Sequence, residues 1–209
     1  MHFYLEQSFK NTYLCIIMAR SKEFNPEERL EKARDLFREK GYHATSMQDL
    51  VETMKLNRGS IYDTYGDKHA LFLQCLANYA DETMKVYKAA AAGAKSPIQA
   101  IAQIIHKAVE KSLADGKSCM VVKTSFELEG MDKAAHDIIR SQGEALTRVF
   151  ESLLKQAQEA GEISPDKDPN LVAIFIVSNF TGFWQLNISK GDPKLIHRLA
   201  DYLIQLIKM

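Results

Sequence analysis

The sequence predicts an all-α chain of about nine helices, three short ones followed by six longer ones. Three observations carry this expectation. Four prolines directly follow a residue with a capping side chain at the head of a periodic segment, in Asn25-Pro26, Ser96-Pro97, Asp168-Pro169 and Asp192-Pro193. Such a pair offers an oxygen to the free N–H groups of a helix start and a pre-set φ for its first turn. Gly41, Gly66, Gly93, Gly116, Gly130, Gly161 and Gly191 close the segments between these starts, where apolar residues recur at three- and four-residue spacing. Only the Val- and Thr-rich stretch 119–126 could be read as a strand, and no neighbouring run is available to pair with it.

Helix one covers about 26–40, with Leu30, Ala33, Leu36 and Phe37 on one face. Helix two starts from Thr45, with Gln48 three residues on completing a capping box, and buries Met47, Leu50, Val51 and Met54. After the break Lys55-Leu56-Asn57, helix three (58–65) is too short to be stable alone and needs Ile61 and Tyr65 as anchors. That spacing turns Gly59, Ser60, Tyr62 and Asp63 outward, with Arg58 at the entrance. Two short helices on a tight turn, packed on a longer one, make a helix-turn-helix arrangement. A face of small, hydroxyl and charged groups suits entry into the major groove of DNA.

Helix four (68–92) starts from Asp67 and links this unit to the rest, carrying Leu71, Phe72, Cys75, Leu76, Tyr79, Met84 and Tyr87. Helices five (97–115), six (118–129) and seven (131–160) carry apolar stripes such as Ile101, Ile104, Ile105, Ala108 and Val109. Helix eight (169–190) contains an uncharged run, 171–189, long enough to span a membrane. Its Ser178, Asn179, Thr181, Gly182, Gln185 and Asn187 instead favour a soluble helix covered by its own domain and by a second subunit. Gly182 leaves room there for close approach by another helix or a ligand. Helix nine (193–208) places Leu195, Ile196, Leu199, Tyr202, Leu203, Leu206 and Ile207 among few charges. The expected organisation is an N-terminal extension, 1–24, then a helix-turn-helix domain, 25–72, then a six-helix domain, 73–209. Residues 1–17 lack a cap or a clear period, and Met18-Ala19-Arg20-Ser21 reads like a natural start.

Charge and chemistry narrow the function. The 209 residues hold 27 Lys+Arg against 27 Asp+Glu, so any DNA recognition comes from local placement of charge, not from the whole-chain sum. Residues 20–72 are themselves balanced, with 10 of each sign. Cys15, Cys75 and Cys119 are widely spaced and odd in number, which suits a reducing cytoplasm and neither a disulfide framework nor a zinc site. No nucleophile elbow, zinc-protease motif or phosphate-binding loop occurs, and the six histidines are scattered. We therefore expect no enzyme, no metal and no cofactor.

The run ARDLFREKGYHATSMQDLVETMKLNRGSIYDTYGDKHALF, residues 33–72, resembles the TetR family of bacterial transcriptional regulators. More loosely, SCMVVKTSFELEGMDKAAHDIIR, residues 118–140, resembles the regulatory domain of one branch of that family, an AcrR-like one. The resemblance implies that helix three reads the major groove while flanking positions hold phosphates. Carried onto this sequence, Thr45 and Ser46 at a helix N-terminus, the Tyr62 hydroxyl and Lys68 would face the DNA backbone. Arg58 would meet guanine or phosphate, and Ser60 a base edge beside Gly59. Asp63 departs from the pattern, since a carboxylate repels phosphate yet can accept from cytosine N4.

It also implies a ligand cavity in the second domain, with Met84, Tyr87, His106, Cys119, Phe126, Phe180, Phe183 and Trp184 as candidate wall residues. Each reads equally as plain core. Cys119 is either a small buried residue or a reactive thiol, its pKa lowered by a helix start and by Lys117 and Lys123. Helices eight and nine would pair with their two-fold mates, giving a homodimer on a palindromic operator. The expected protein is a cytoplasmic repressor, without membrane attachment, released from double-stranded DNA by a small-molecule effector. Two alternatives stay open: a DNA-binding scaffold acting through protein partners without a small-molecule ligand, and a thiol-based electrophile- or redox-sensing repressor working through Cys119.

Overall fold

The computed structural model describes residues 24–114, 117–128 and 132–209. Within them lie nine α-helices and no strand: α1 Pro26–Lys40, α2 Met47–Met54, α3 Arg58–Tyr65, α4 Lys68–Ala91, α5 Pro97–Leu113, α6 Met120–Glu127, α7 Lys133–Glu159, α8 Pro169–Lys190 and α9 Pro193–Lys208. The extension expected at the N-terminus, Cys15, Gly116 and Gly130 lie outside the described residues.

The capping residues set these boundaries. Asn25, Asn57, Asp67, Ser96, Asp132, Asp168 and Asp192 each accept a backbone N–H from the first turn of the helix they precede. Of the nine helices, α6 alone starts without a side-chain cap, at Cys119. The start of α2 corrects the sequence reading. Thr45 is fully buried, and its hydroxyl donates to the Gly41 carbonyl at 2.6 Å, closing the turn after α1. Ser46 is therefore the cap: its Oγ accepts from Asp49 N at 3.1 Å, while the Asp49 carboxylate accepts from Ser46 N at 2.8 Å. Gln48, expected to close the box, reaches along the helix to Glu52. Helix α6 is also shorter than the expected 118–129, and α7 starts from Asp132, not at 131.

Two hydrophobic clusters result. One gathers Phe37, Leu50, Met54, Ile61, Tyr65 and Phe72, and Met120, Leu128 and Ala135 join it from much later in the chain. The other packs Ile101, Ile104, Phe150, Leu154, Ile176, Phe180, Ile196 and Leu203. Helix α4 serves both, giving Leu71 to Tyr79-side packing in the first and Tyr87 in the second. The expected border between residues 72 and 73 thus falls within a continuous helix.

Helix α8 explains its uncharged run by having two apolar sides. Ala173, Ile176, Phe180, Phe183 and Trp184 are buried in the domain. Leu171, Ile174, Phe175 and Ile188 are exposed on the other side, in line with Ser178, Thr181, Gly182 and Gln185. A side chain at Gly182 would meet nothing within 4 Å, so packing inside one chain does not call for glycine there. On α9, Tyr202 and Leu206 are exposed and Leu195 and Leu199 half-buried, extending this apolar surface.

Phe37 packs edge-on against Phe72, with ring centroids 5.1 Å apart, and is almost fully buried. Phe37→Ala should lower unfolding free energy by about 3–5 kcal/mol. Urea unfolding followed by circular dichroism measures this, and a loss below about 1 kcal/mol would show that the three-helix unit does not depend on this contact.

Candidate nucleic-acid interface and ligand cleft

Helix α3 is held from behind and open in front. Ile61 is fully buried, and the Tyr65 hydroxyl donates to the Pro26 carbonyl at 2.7 Å. Gln74 Nε2 donates to the Tyr65 carbonyl at 2.8 Å, tying the end of α3 to α4. Arg58, Gly59, Tyr62 and Asp63 are exposed, with Tyr62 at 47% of its surface, and Ser60 is half-buried. The outward set expected from the sequence is therefore brought to one open face.

The flanking positions divide. Thr45 does not offer its hydroxyl to a phosphate, since its burial points that group at Gly41. Ser46 is exposed, but its hydroxyl donates to Asp49 Oδ2 at 2.7 Å. The Asp49 carboxylate itself occupies the positive end of α2, and Lys40 Nζ meets it at 2.6 Å. The hydrogen bond from Lys40 and those from Ser46 hold the Asp49 carboxyl well below the usual carboxylate range. Lys68 stands in the first turn of α4, its ammonium 4.5 Å from the Tyr42 ring centroid, and partial burial pulls its pKa down. Asp49 and Lys40 were missed in the sequence, though Ser46-x-x-Asp49 carries the signature of a cap.

Helix α6 ties this head to the second cluster. Lys123 Nζ donates to the carbonyls of Arg38 and Glu39, at 3.3 and 2.6 Å, at the negative end of α1. The Glu127 carboxylate accepts from Tyr42 N at 3.0 Å and His43 N at 2.7 Å. Just before α6, Arg38 Nε donates to the Ser118 carbonyl at 3.3 Å, and Lys117 Nζ lies 2.8 Å from Asp35 Oδ2. Gly41 makes this approach possible: a Cβ there would stand 2.7 Å from a Glu127 oxygen, and its φ is +91°. Lys117 and Lys123, expected beside the Cys119 thiol, are thus turned to α1.

The side of α6 away from α1 borders a cleft of about 220 Å³ between α4, α6, α7 and α8. Of the candidate wall residues, Tyr87, Cys119, Phe180 and Trp184 line it, together with Tyr79, Thr83, Val122, Ser125, Gln142 and Val177, which were not among the candidates. The Tyr87 ring meets Phe180 edge-on at 5.8 Å. Cys119 is half-buried and lines the cleft together with Tyr79. Burial pushes the Tyr79 and Tyr87 phenols upward, so both remain neutral.

Four expected wall residues lie elsewhere. Met84 faces a separate surface groove between α4 and α7. His106 is half-exposed on α5, with Nε2 3.6 Å from Asp201 of α9. Phe126 is 70% exposed and borders an adjoining groove of about 320 Å³ with Trp184 and Ile188. Phe183 is buried in the core of the second cluster. Helical phase decides each case, and it cannot be assigned from composition alone. Among the described residues, no three His, Cys, Asp or Glu side chains gather where a metal could be held.

Residues 30–75 match the family of bacterial regulatory proteins of the tetR type, and residues 94–203 match the tetracyclin repressor-like C-terminal domain. The uncharacterized HTH-type transcriptional regulator YezE of Bacillus subtilis is 30% identical over 163 residues, covering 76% of this chain and 84% of its own. The HTH-type transcriptional repressor DhaR of a Mycobacterium species is 27% identical over 160 residues, covering 73% and 77%. Among solved structures, a cysteine-substituted form of the TetR family regulator CifR, complexed with operator DNA, superposes with a TM-score of 0.79. It is 21% identical, covering 90% of this chain and 98% of that one.

The Glu127 contact has a direct readout. Glu127→Ala leaves the Tyr42 and His43 amides without their acceptor, so their hydrogen exchange should accelerate at least about tenfold. Exchange at Leu50 and Ile61 should hold steady. Unchanged exchange at Tyr42 and His43 would mean that the carboxylate does not hold this turn.

Proposed function

Since the chain belongs to the TetR family of bacterial regulatory proteins, it is a DNA-binding transcriptional regulator and not an enzyme; we propose that it works as a cytoplasmic homodimeric repressor, released from a palindromic operator by a small molecule. One observation carries this reading. The eight-residue helix α6 borders the cleft on one side and holds the end of α1 and the following turn on the other. A ligand that fits the cleft better when α6 is displaced shifts the head away from its DNA-bound position, and DNA binding opposes the ligand by the same coupling.

In this reading Arg58 and Ser60 contact base edges, Gly59 lets the α3 backbone come close, and Asp63 accepts from a cytosine. Tyr62 and Lys68 hold phosphates, and Ser46 does so in exchange for Asp49. The exposed apolar sides of α8 and α9 pair with the same surfaces of a second copy, which sets two heads on one operator. The repressor name of DhaR and the operator complex of CifR support this assignment. The effector is a small apolar, aromatic or electrophilic compound. A protein partner acting without a small molecule is the less economical reading, because the cleft would then have no use.

The decisive test is a footprint on the DNA upstream of the protein's own gene, across a salt series. We expect symmetric protection, with affinity falling on the order of 10³-fold from 50 to 200 mM salt. No sequence-selective protection on any genomic fragment would refute the regulator reading for this chain. Asp63→Ala should raise non-specific affinity and relax specificity, and a drop in both would refute its place opposite cytosine.

The thiol-sensing alternative draws on one observation, the position of Cys119 in the cleft wall. In the reading we favour, Cys119→Ser keeps its effector response. Release by N-ethylmaleimide that disappears in that variant, with no effector left to act, would favour thiol sensing instead.

A further inference from the structure

The charge and the hydrogen-bonding of the cleft narrow what it takes. Among the described residues, no Asp, Glu, Lys, Arg or His side chain lines it. Arg38 and Lys111 approach Tyr79, 5.3 and 5.2 Å from its ring centroid, but neither belongs to the cleft wall. With both phenols neutral, a bound anion or cation would lose its hydration without gaining a partner of opposite charge. The far wall sets the apolar Leu146, Val177, Phe180 and Trp184 beside the uncharged Gln142 and Thr181.

Among the described lining residues, one buried side-chain oxygen is unmatched. Thr83 is only 5% exposed, and its Oγ1 has no hydrogen-bond partner among the described residues. A buried hydroxyl proton without an acceptor is costly, whereas an unused oxygen lone pair is tolerated more readily. Thr83 thus brings a donor without an acceptor to a cleft whose other described polar groups, among them Tyr79, Ser125 and Gln142, are uncharged.

We propose that the cleft takes an uncharged, ring-sized compound whose carbonyl or comparable oxygen accepts a hydrogen bond from Thr83. The inference rests on the cleft being the effector site. A cavity of about 150 Å³ takes benzene, so 220 Å³ corresponds to roughly nine non-hydrogen atoms.

Trp184 is the chain's one tryptophan and borders both the cleft and the adjoining groove, so its fluorescence responds to occupancy and Thr83→Val assigns the response to the cleft. Three ring compounds of matched size serve as probes: acetophenone, neutral with a carbonyl; cumene, neutral without an acceptor; and benzoate, charged. Acetophenone should titrate Trp184 saturably, about fivefold more tightly than cumene, with benzoate at least about tenfold weaker than acetophenone. Thr83→Val should abolish the preference for acetophenone over cumene and leave the melting temperature of the free protein equal or higher, because a methyl group replaces an unmatched hydroxyl. Benzoate binding as tightly as acetophenone would overturn the proposal. So would a preference that survives Thr83→Val, a lowered melting temperature in that variant, or the absence of any Trp184 response. Operator release, measured separately, keeps the two readings apart. Acetophenone that binds by these rules but leaves the footprint intact sinks effector release and not the chemistry of the cleft. A charged compound that releases the operator while Trp184 ignores the neutral probes does the reverse.

Discussion

A carboxylate received by two backbone N–H groups connects the two ends of this molecule. Glu127 meets Tyr42 and His43 where α1 has ended and the head begins its turn, and only a glycine at position 41 leaves room for it. Hydrogen bonds to a charged group are among the stronger polar contacts. They fix the orientation of the turn as well as its position. Lys123 adds the opposite charge one turn earlier, on the carbonyls that α1 leaves unsatisfied. A cation on a helix C-terminus and an anion on the following free amides suit the polarity of the α1 end, so α6 docks there in one orientation.

The helix that makes these contacts has little stability of its own. It is eight residues long, and a helix of that length is marginal without tertiary support. Unlike its neighbours it lacks a side-chain cap. Met120, fully buried with Phe72 and the head cluster, anchors one side, and the cleft residues Val122 and Ser125 lie on another. Its position is therefore set by what it touches. Helix α4 is the contrast: 24 residues long, capped by Asp67 and buried in both clusters, it is held along its length by both.

The sequence made the helices legible and the site only partly so, for a physical reason. Caps, prolines and terminal glycines are local signals, and they placed most helix starts correctly. Where a local signal was duplicated it misled: Thr45 and Ser46 are both capping residues, and burial, a tertiary property, assigned the cap to Ser46. The outward face of α3 was legible because Ile61 and Tyr65 fix its phase. The cleft was not, because four helices share it and the phase of each depends on the others. Hence Tyr87 and Trp184 border the cleft, His106 and Phe126 lie outside it, and Thr83 borders it without having been a candidate. The α6–α1 contacts join residues about eighty apart, and nothing in either segment announces the other.

The two walls of the cleft differ in length and capping, and that difference would give the proposed switch its direction. Val177, Phe180 and Trp184 belong to α8, a 22-residue helix capped by Asp168 and packed along its inner side. Its outer side is apolar and open, so pairing with a second copy would clamp it from both sides. The opposite wall is α6, short and uncapped, with Cys119, Val122 and Ser125. In such a dimer, a molecule that needs more room than the cleft offers would meet a clamped helix on one side and a short, uncapped one on the other. The strain would fall on α6 and be passed to the contacts it makes with α1. Since α6 holds the turn ahead of α2 and α3 through Glu127, dimerisation would then do more than align two heads. By immobilising α8, it would turn occupancy of the cleft into movement of the head.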